Sequence, residues 1–498
     1  MKEKSIIIIG AGLAGLSTGC YAQMNGYKTQ IFEMHDIPGG LCTSWKRKGY
    51  VFDGCIHYLS GSSSGIFHRF YEELGAVQGR QIVDHEEILR IEGTSGKIWK
   101  VYSNLDRLEQ HMKELSQADS RIIEELCKKA RLLSRFKVPV DKPMENMGLL
   151  DMLKMLKSMR AMMTMRKYGK ISMQNFAARF KDPLLRSAFP LILEDIPDYP
   201  MTLVLMPLAY SHIKNNGWPI GGSLEFARAI EKRYLDLGGK ILYNSPVEKI
   251  LVKADRAVGI RLSNGNEYHA DLVISAADGR TTIFDMLDGN YIDDKIHQYY
   301  EEWDIYRPYI QISLGVACDF SKEPHSLVLE VDEPLKVGDQ MRKWISIRHF
   351  CFDPTMAPSG KSVIVVAFNS VNYDYWKELS RDIEKYKVEK QALADDVINI
   401  LEKRFPNIRE KIEVVDVATP VTYERYTNNW QGSYMGWKAD ATDMSKLMKR
   451  TLPGLESFYM AGQWVFQGGG VPGAITSGRH LIQVICKKDK KRFIVINS

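Results

Sequence analysis

Near the start of the chain stands Ser5-Ile6-Ile7-Ile8-Ile9-Gly10-Ala11-Gly12-Leu13-Ala14-Gly15. Ile6 to Ile9 is a β-branched run without polar alternation, the pattern of a strand buried on both faces of a parallel sheet. It passes directly into Gly-x-Gly-x-x-Gly at Gly10, Gly12 and Gly15. Leu16 to Asn25 is predicted as a helix with Gly26 as its stop, and Lys28 to Phe32 as a second strand ending at Glu33. Glu33 follows Gly10 by 23 residues, near the spacing of about 20 at which an acid holds a ribose hydroxyl. Gly10 permits the tight turn, Gly12 admits a pyrophosphate to the backbone, and Gly15 lets helix and strand pack closely. The helix N-terminus, with Leu13 and Ala14 in its approach, turns free N–H groups toward the phosphates. A dinucleotide is the expected ligand.

The stretch from Ser5 to Tyr27 carries no charge over 23 residues, long enough to span a bilayer. Five glycines, Ser17, Thr18, Gln23 and Asn25 argue against a span, and the apolar centre is only a strand long. The whole chain, at 498 residues, predicts two to three domains at about 150 residues each. With 45% hydrophobic and 26% charged residues, it is neither disordered nor fibrous. A net charge of +6 is a weak field that does not call for nucleic acid. Seven scattered cysteines without C-x-x-C argue against a disulfide framework or structural zinc, and for a reducing, cytoplasmic compartment. No H-E-x-x-H, G-x-S-x-G or P-loop pattern occurs, so neither metal nor nucleophile chemistry is indicated.

Pro38-Gly39-Gly40-Leu41-Cys42-Thr43-Ser44-Trp45 follows Glu33 and Met34, and then comes Gly49-Tyr50-Val51-Phe52-Asp53-Gly54-Cys55-Ile56-His57-Tyr58. This resembles the FAD-binding start of the superfamily of amine oxidases, phytoene desaturases, carotenoid isomerases and retinol saturases. The resemblance implies FAD as cofactor, with Gly40, Leu41 and Cys42 passing close to it and the following hairpin beneath the flavin ring. It extends through Phe176 to Arg186, Trp218-Pro219-Ile220-Gly221-Gly222-Ser223-Leu224, Val247 to Ile250 and Ala270 to Ala277. In relatives the residue matching Val247 meets the adenine through its backbone.

Phe458 to Val465 reads as a last parallel strand, and Gly468-Gly469-Gly470-Val471-Pro472-Gly473-Ala474 leads into a helix expected over Ile475 to Cys486. In relatives this turn meets the pyrophosphate and the flavin edge, which implicates Gly462, Gln463, Gly470, Val471, Pro472 and Ala474. Gln463 stands where an acid is commoner. Leu41 replaces an Arg found in amine oxidases, which turns the resemblance toward the phytoene desaturase, carotenoid isomerase and retinol saturase group, as do Gly54 to Tyr58 and Tyr423 to Trp430.

Flavin chemistry resides in the cofactor, and the protein supplies orientation and a dry pocket. The resemblance places His57 and Tyr58 near the ring as candidate catalytic or orienting groups, although a histidine satisfied by packing fits the same sequence. Trp218, Tyr434, Trp437, Trp464 and Phe466 are candidate walls around a long substrate, or plain core. Nine of the 22 methionines fall within residues 144–173, among Lys154, Lys157, Arg160, Arg166 and Lys167. Such a basic helix with a pliable apolar face suits peripheral membrane contact or ordinary inward packing. The basic run over 487–492 suits a solvated tail, or a second place for contact with the inner face of a membrane.

The expected fold is α/β, a Rossmann-like FAD-binding domain of the amine-oxidase type with a mixed α+β substrate domain. The FAD domain is expected over 1–80, 210–285 and 440–498, and the substrate domain over 81–209 (helical) and 286–439. Arg307 to Val316, Lys343 to His349 and Ser362 to Ser370 are its expected strands, and Lys385 to Phe405 a long helix ended by Pro406. The expected function is FAD-dependent oxidation, reduction or isomerisation at a C=C or CH–CH bond of an apolar isoprenoid or polyene. Amine oxidation, and a lipid- or carotenoid-binding protein with structural FAD, are the alternatives. No electron partner is indicated.

Overall fold

The computed structural model describes residues 3–148, 151, 152, 156, 158–193, 196–438, 448–466 and 469–496. Its centre is a five-stranded parallel sheet ordered Lys240–Leu242, Lys28–Phe32, Ser5–Ile9, Leu272–Ser275, Phe458–Met460. The strand Ser5–Ile9 lies in the middle, with Ile8 opposite Ile31 on one side and Ile274 on the other. Its two faces serve different cores, as the unbroken apolar run requires. Ile6 and Ile8 pack with Leu16 and Cys20 of the first helix. Ile7 and Ile9 pack instead with Ile250, Ile260 and Leu262 of a three-stranded antiparallel sheet.

The first helix, Leu13–Met24, is crossed by the last, Gly470–Lys488. At the crossing a Cβ on Gly478 would stand 2.4 Å from the Ser17 hydroxyl, so only glycine admits this approach. The two helices are also joined through a buried ion pair. Arg479 Nε donates to Glu73 Oε2 at 3.0 Å, and the Tyr21 hydroxyl donates to the same oxygen at 2.7 Å. A second Arg479 nitrogen donates to the Asp141 carbonyl.

A seven-stranded mixed sheet forms the second layer, ordered Ile412–Ala418, Ile310–Val316, Ser362–Phe368, Gln340–His349, Ser326–Val337, Glu87–Glu92, Ile98–Tyr102. The helix Ile383–Arg404 packs on one face through Leu393, Ala394, Val397 and Leu401. Its start is set by Asp382, whose side chain accepts the Lys385 N–H. The three expected strands and this helix are present with ends shifted by a few residues. The strand Ser326–Val337 was not foreseen, because Asp332, Glu333 and Pro334 interrupt its apolar pattern; the pairing shifts between Glu330 and Leu335.

Three ends differ from the sequence reading. The first helix begins at Leu13, not Leu16, because Gly15 can sit in its first turn against the Gly10 carbonyl. The last strand stops at Met460 and the last helix begins at Gly470, not Ile475. Pro472 fits there because first-turn N–H groups have no helical partner.

In the methionine-rich segment, Leu149, Leu153, Lys154, Met155 and Lys157 lie outside the described residues, as does Gly468 of the glycine turn. The helix Met159–Gly169 turns Ala161, Thr164 and Tyr168 inward. Met159, Met162 and Met163 are exposed, as are Met144, Met152 and Leu156 beside them. The Lys487 ammonium donates to the Glu145 carbonyl at 2.6 Å, so the basic run at the last helix's end meets the start of this segment. Among the described residues no helix is long and apolar enough to cross a membrane.

Removing one partner of the buried pair leaves the other charge uncompensated. Glu73→Ala is therefore expected to cost about 3–5 kcal/mol in chemical denaturation. Glu73→Leu combined with Arg479→Met should recover most of that loss.

Candidate functional site

A cleft opens at the carboxyl ends of Ser5–Ile9, Lys28–Phe32 and Leu272–Ser275, where ligands of open α/β sheets bind. Its wall includes Gly10, Gly12, Leu13, Ala14, Glu33 and Met34 from the first βαβ unit. Gly40, Leu41, Cys42 and Val247 continue it, and Gly462, Gln463, Gly470, Val471 and Ala474 close it from the C-terminal end. These residues, expected on sequence grounds to share one ligand, are thus brought together. Gly15 and Pro472 stand outside the wall. Gly15 has its own reason to be glycine: a Cβ there would lie 1.9 Å from the Gly10 oxygen.

The cleft fits a phosphate-bearing dinucleotide. Gly10 adopts φ +94° and its N–H donates to the Phe32 carbonyl at 2.8 Å. At Gly12 a Cβ would meet no atom of the described residues closer than 3.8 Å, so its absence leaves room for a ligand rather than for the fold. Two helix N-termini converge here, at Leu13 and at Gly470. Neither has a side-chain cap or an acidic residue in its first turn, although Asn104, Asp182 and Asp293 cap helices elsewhere. Unsatisfied N–H groups and positive dipole ends suit an anion. Glu33 is buried, its two oxygens accepting the N–H groups of Ala11 at 2.6 Å and His35 at 3.0 Å. It therefore braces the glycine loop from beside the cleft.

The hairpin Ser44–Arg47 with Tyr50–Asp53 leads to the candidate residues His57 and Tyr58. Asp53 is buried and accepts the Ser223 N–H at 2.7 Å, the Ser223 hydroxyl at 2.6 Å and the Cys55 N–H at 3.1 Å. Burial raises its carboxyl above the ordinary range despite these bonds. The Ser223 hydroxyl also accepts the Ile56 N–H, and Tyr309 donates to the Gly54 carbonyl at 2.7 Å. The segment Gly54–Tyr58 is so held between two spaces. Cys55 lines the cleft, while His57 and Tyr58 line a second cavity on its other side.

That second cavity lies between the seven-stranded sheet and the helix Thr202–His212. Leu191, Leu203, Val204, Pro207, Leu208 and Trp218 supply apolar wall. Of the other aromatic candidates, Tyr434 and Trp464 line the cleft instead. Trp437 is core, packed edge-on against Trp464, and Phe466 stacks edge-on against His480.

The model of the family described as flavin containing amine oxidoreductase matches residues 13–484. The chain belongs to this family. Prolycopene isomerase of Daucus carota is 26% identical, over 96% of this chain and 79% of that one. All-trans-retinol 13,14-reductase of Danio rerio is 24% identical, over 96% and 86%. The neurosporene-forming phytoene desaturase of Rhodobacter capsulatus is 25% identical, over 96% and 93%. Among solved structures, an oxidoreductase from Methanosarcina mazei superposes with a TM-score of 0.62 at 17% identity, covering 96% of this chain and all of that one. The protein is a flavin-dependent oxidoreductase of the amine oxidoreductase family, and its cofactor is FAD.

Sequence reading missed several parts of this flavoprotein site. Asp278 lines the cleft, accepts the N–H groups of Thr281 and Trp430, and is pushed up to about 6 by burial. Its place just past the buried strand Leu272–Ser275 was the available signal. The Asp53–Ser223 pin and the ring pair Tyr309–Tyr423, 4.5 Å apart, join residues too distant in sequence for a local pattern to reveal.

The two glycines of the loop should separate in their effects. Gly12→Ala fits the protein but intrudes on the ligand, so purified protein should retain at least about tenfold less FAD with apoprotein stability unchanged. Gly15→Ala should prevent folding, as read by circular dichroism and soluble yield.

Proposed function

We propose that this flavoenzyme acts on a C=C or CH–CH bond of an apolar isoprenoid or polyene, by desaturation, saturation or isomerisation. The observation that carries this reading is the largely apolar cavity beyond Gly54–Tyr58, next to a flavin cleft. The names of the relatives, which act on prolycopene, retinol and phytoene, point the same way. Bound FAD supplies an acceptor or donor for hydride or electrons.

In this account Gly10, Gly12, Leu13, Ala14, Gly470, Val471 and Ala474 hold the pyrophosphate. Gly15 and Pro472 shape the two helix starts. Glu33 and Met34 stand at the adenosine end with Val247, and Gly40, Leu41, Cys42, Gly462 and Gln463 border the remaining length. His57 and Tyr58 orient the substrate, and Asp53 positions them through Ser223. The division into an FAD domain (1–80, 210–285, 440–498) and a substrate domain (81–209, 286–439) goes with this assignment, with two exceptions. The part 81–209, expected to be helical, also gives the strands Glu87–Glu92 and Ile98–Tyr102 to the seven-stranded sheet, and Tyr426 to Asn429 and Tyr434 reach the cleft. Anaerobic stopped-flow tests the reading. A polyene substrate or product should change the rate of flavin reduction or reoxidation; an unchanged rate across hydrocarbon and oxygenated polyenes would contradict it.

The exposed methionines with Arg160, Arg166, Lys167 and Lys170 support peripheral docking on an anionic bilayer, which would deliver a lipid-soluble substrate. Replacing Arg160, Arg166 and Lys167 with Glu should abolish flotation with anionic liposomes. Unchanged flotation would sink the membrane proposal.

A further inference from the structure

The cavity beyond His57 is not uniformly apolar, and its polar part is built rather than incidental. The sheet supplies it through strand parity. Along Gln340–His349, Ile345 and Ile347 turn into the core, while the alternate Ser346 and Arg348 line the cavity. Across the sheet Ser326 stands opposite Arg348, and Val328 opposite Ser346. A strand meant to face only hydrocarbon would carry apolar residues at those positions.

His85 and His325 complete the polar end. Their rings stack with centroids 3.5 Å apart and 11° between planes, and Phe352 abuts His85 edge-on at 4.5 Å. Two stacked imidazoles cannot both hold charge at that distance. Burial lowers His85 to about 4 and holds His325 well below the ordinary histidine range, so both are neutral. The neighbouring His349 is fully engaged: Nδ1 accepts the Cys351 N–H, and Nε2 is 3.1 Å from the Glu323 carbonyl. His85 differs. Its Nε2 is buried with no hydrogen-bond partner among the described residues, a costly condition for a polar atom.

We infer that this cavity takes a polyene carrying a terminal oxygen function, seated against His85 and Arg348, with its hydrocarbon chain along Leu191, Leu203, Val204 and Leu208. The inference rests on the polyene reading above and narrows its substrate class. A hydrocarbon end would leave the His85 nitrogen desolvated and unmatched. A terminal hydroxyl, aldehyde or carboxylate supplies the missing partner and meets the guanidinium.

Titration of the FAD-loaded enzyme, followed by flavin absorbance, tests this. The ligands are an acyclic polyene hydrocarbon and its matched terminal alcohol, aldehyde and acid, in detergent micelles. At least one oxygenated ligand should bind about tenfold or more tightly than the hydrocarbon. His85→Phe keeps the ring stack, and Arg348→Met keeps the length of the stem. Each should erase most of that preference with hydrocarbon affinity equal to or higher than in the unmodified enzyme, melting temperature and flavin content checking the fold. Equal or tighter binding of the hydrocarbon to the unmodified enzyme overturns the inference and leaves the polyene reading standing. Silence from every ligand overturns both.

Discussion

Two helices begin without caps at the same cleft, and the arrangement of the chain follows from bringing them there. Leu13 and Gly470 are separated by more than four hundred and fifty residues. Their helices cross so closely that Gly478 admits no side chain. The uncapped N–H groups at both starts are unmet by side-chain caps and suited to a diphosphate. Holding them in register requires the parallel sheet beneath, drawn from distant parts of the chain, and the buried Arg479–Glu73–Tyr21 contact behind. The cleft and the fold are therefore one construction: the packing that brings the first and last elements together also sets their two open helix starts side by side.

The hairpin after the double glycine extends this construction toward the chemistry. Asp53 is buried and bonded to both the N–H and the hydroxyl of Ser223, which fixes Gly54–Tyr58 as a partition between the cleft and the second cavity. Backbone held on both sides by hydrogen bonds gives His57 and Tyr58 a set position without needing them to be reactive. This is what a cofactor enzyme requires of its protein: orientation and exclusion of water rather than an acid or nucleophile. The cavity adds a gradient, from leucines on the helical wall to His85 and Arg348 at the sheet.

Much of this was legible in the sequence where local geometry forces a residue type. Ile6 to Ile9 read as a buried strand, and Gly10 and Gly15 announced the loop because backbone conformation and close approach exclude side chains there, while Gly12 leaves room for a ligand. The last helix was misread at its start because Gly470 to Ala474 looks like an extended turn. Pro472 and the glycines are tolerated there only because first-turn N–H groups are free. The pairings Asp53–Ser223, Tyr21–Glu73 and His85–His325 were hidden, since each joins segments that only tertiary structure brings together. The outward-facing methionines were visible as a cluster, but which face of their helix packed inward was not. Ala161, Thr164 and Tyr168 decide it, and Tyr168 does so by donating to Glu125.

The central claim is that the paired helix starts hold a pyrophosphate. Calorimetric titration of the apoprotein with FAD and with riboflavin measures it directly, because the two share the ring and differ in the diphosphate and adenosine. FAD should bind about a thousandfold or more tightly, with adenosine diphosphate competing against it. Equal affinity for riboflavin and FAD, with no competition from adenosine diphosphate, would contradict the account.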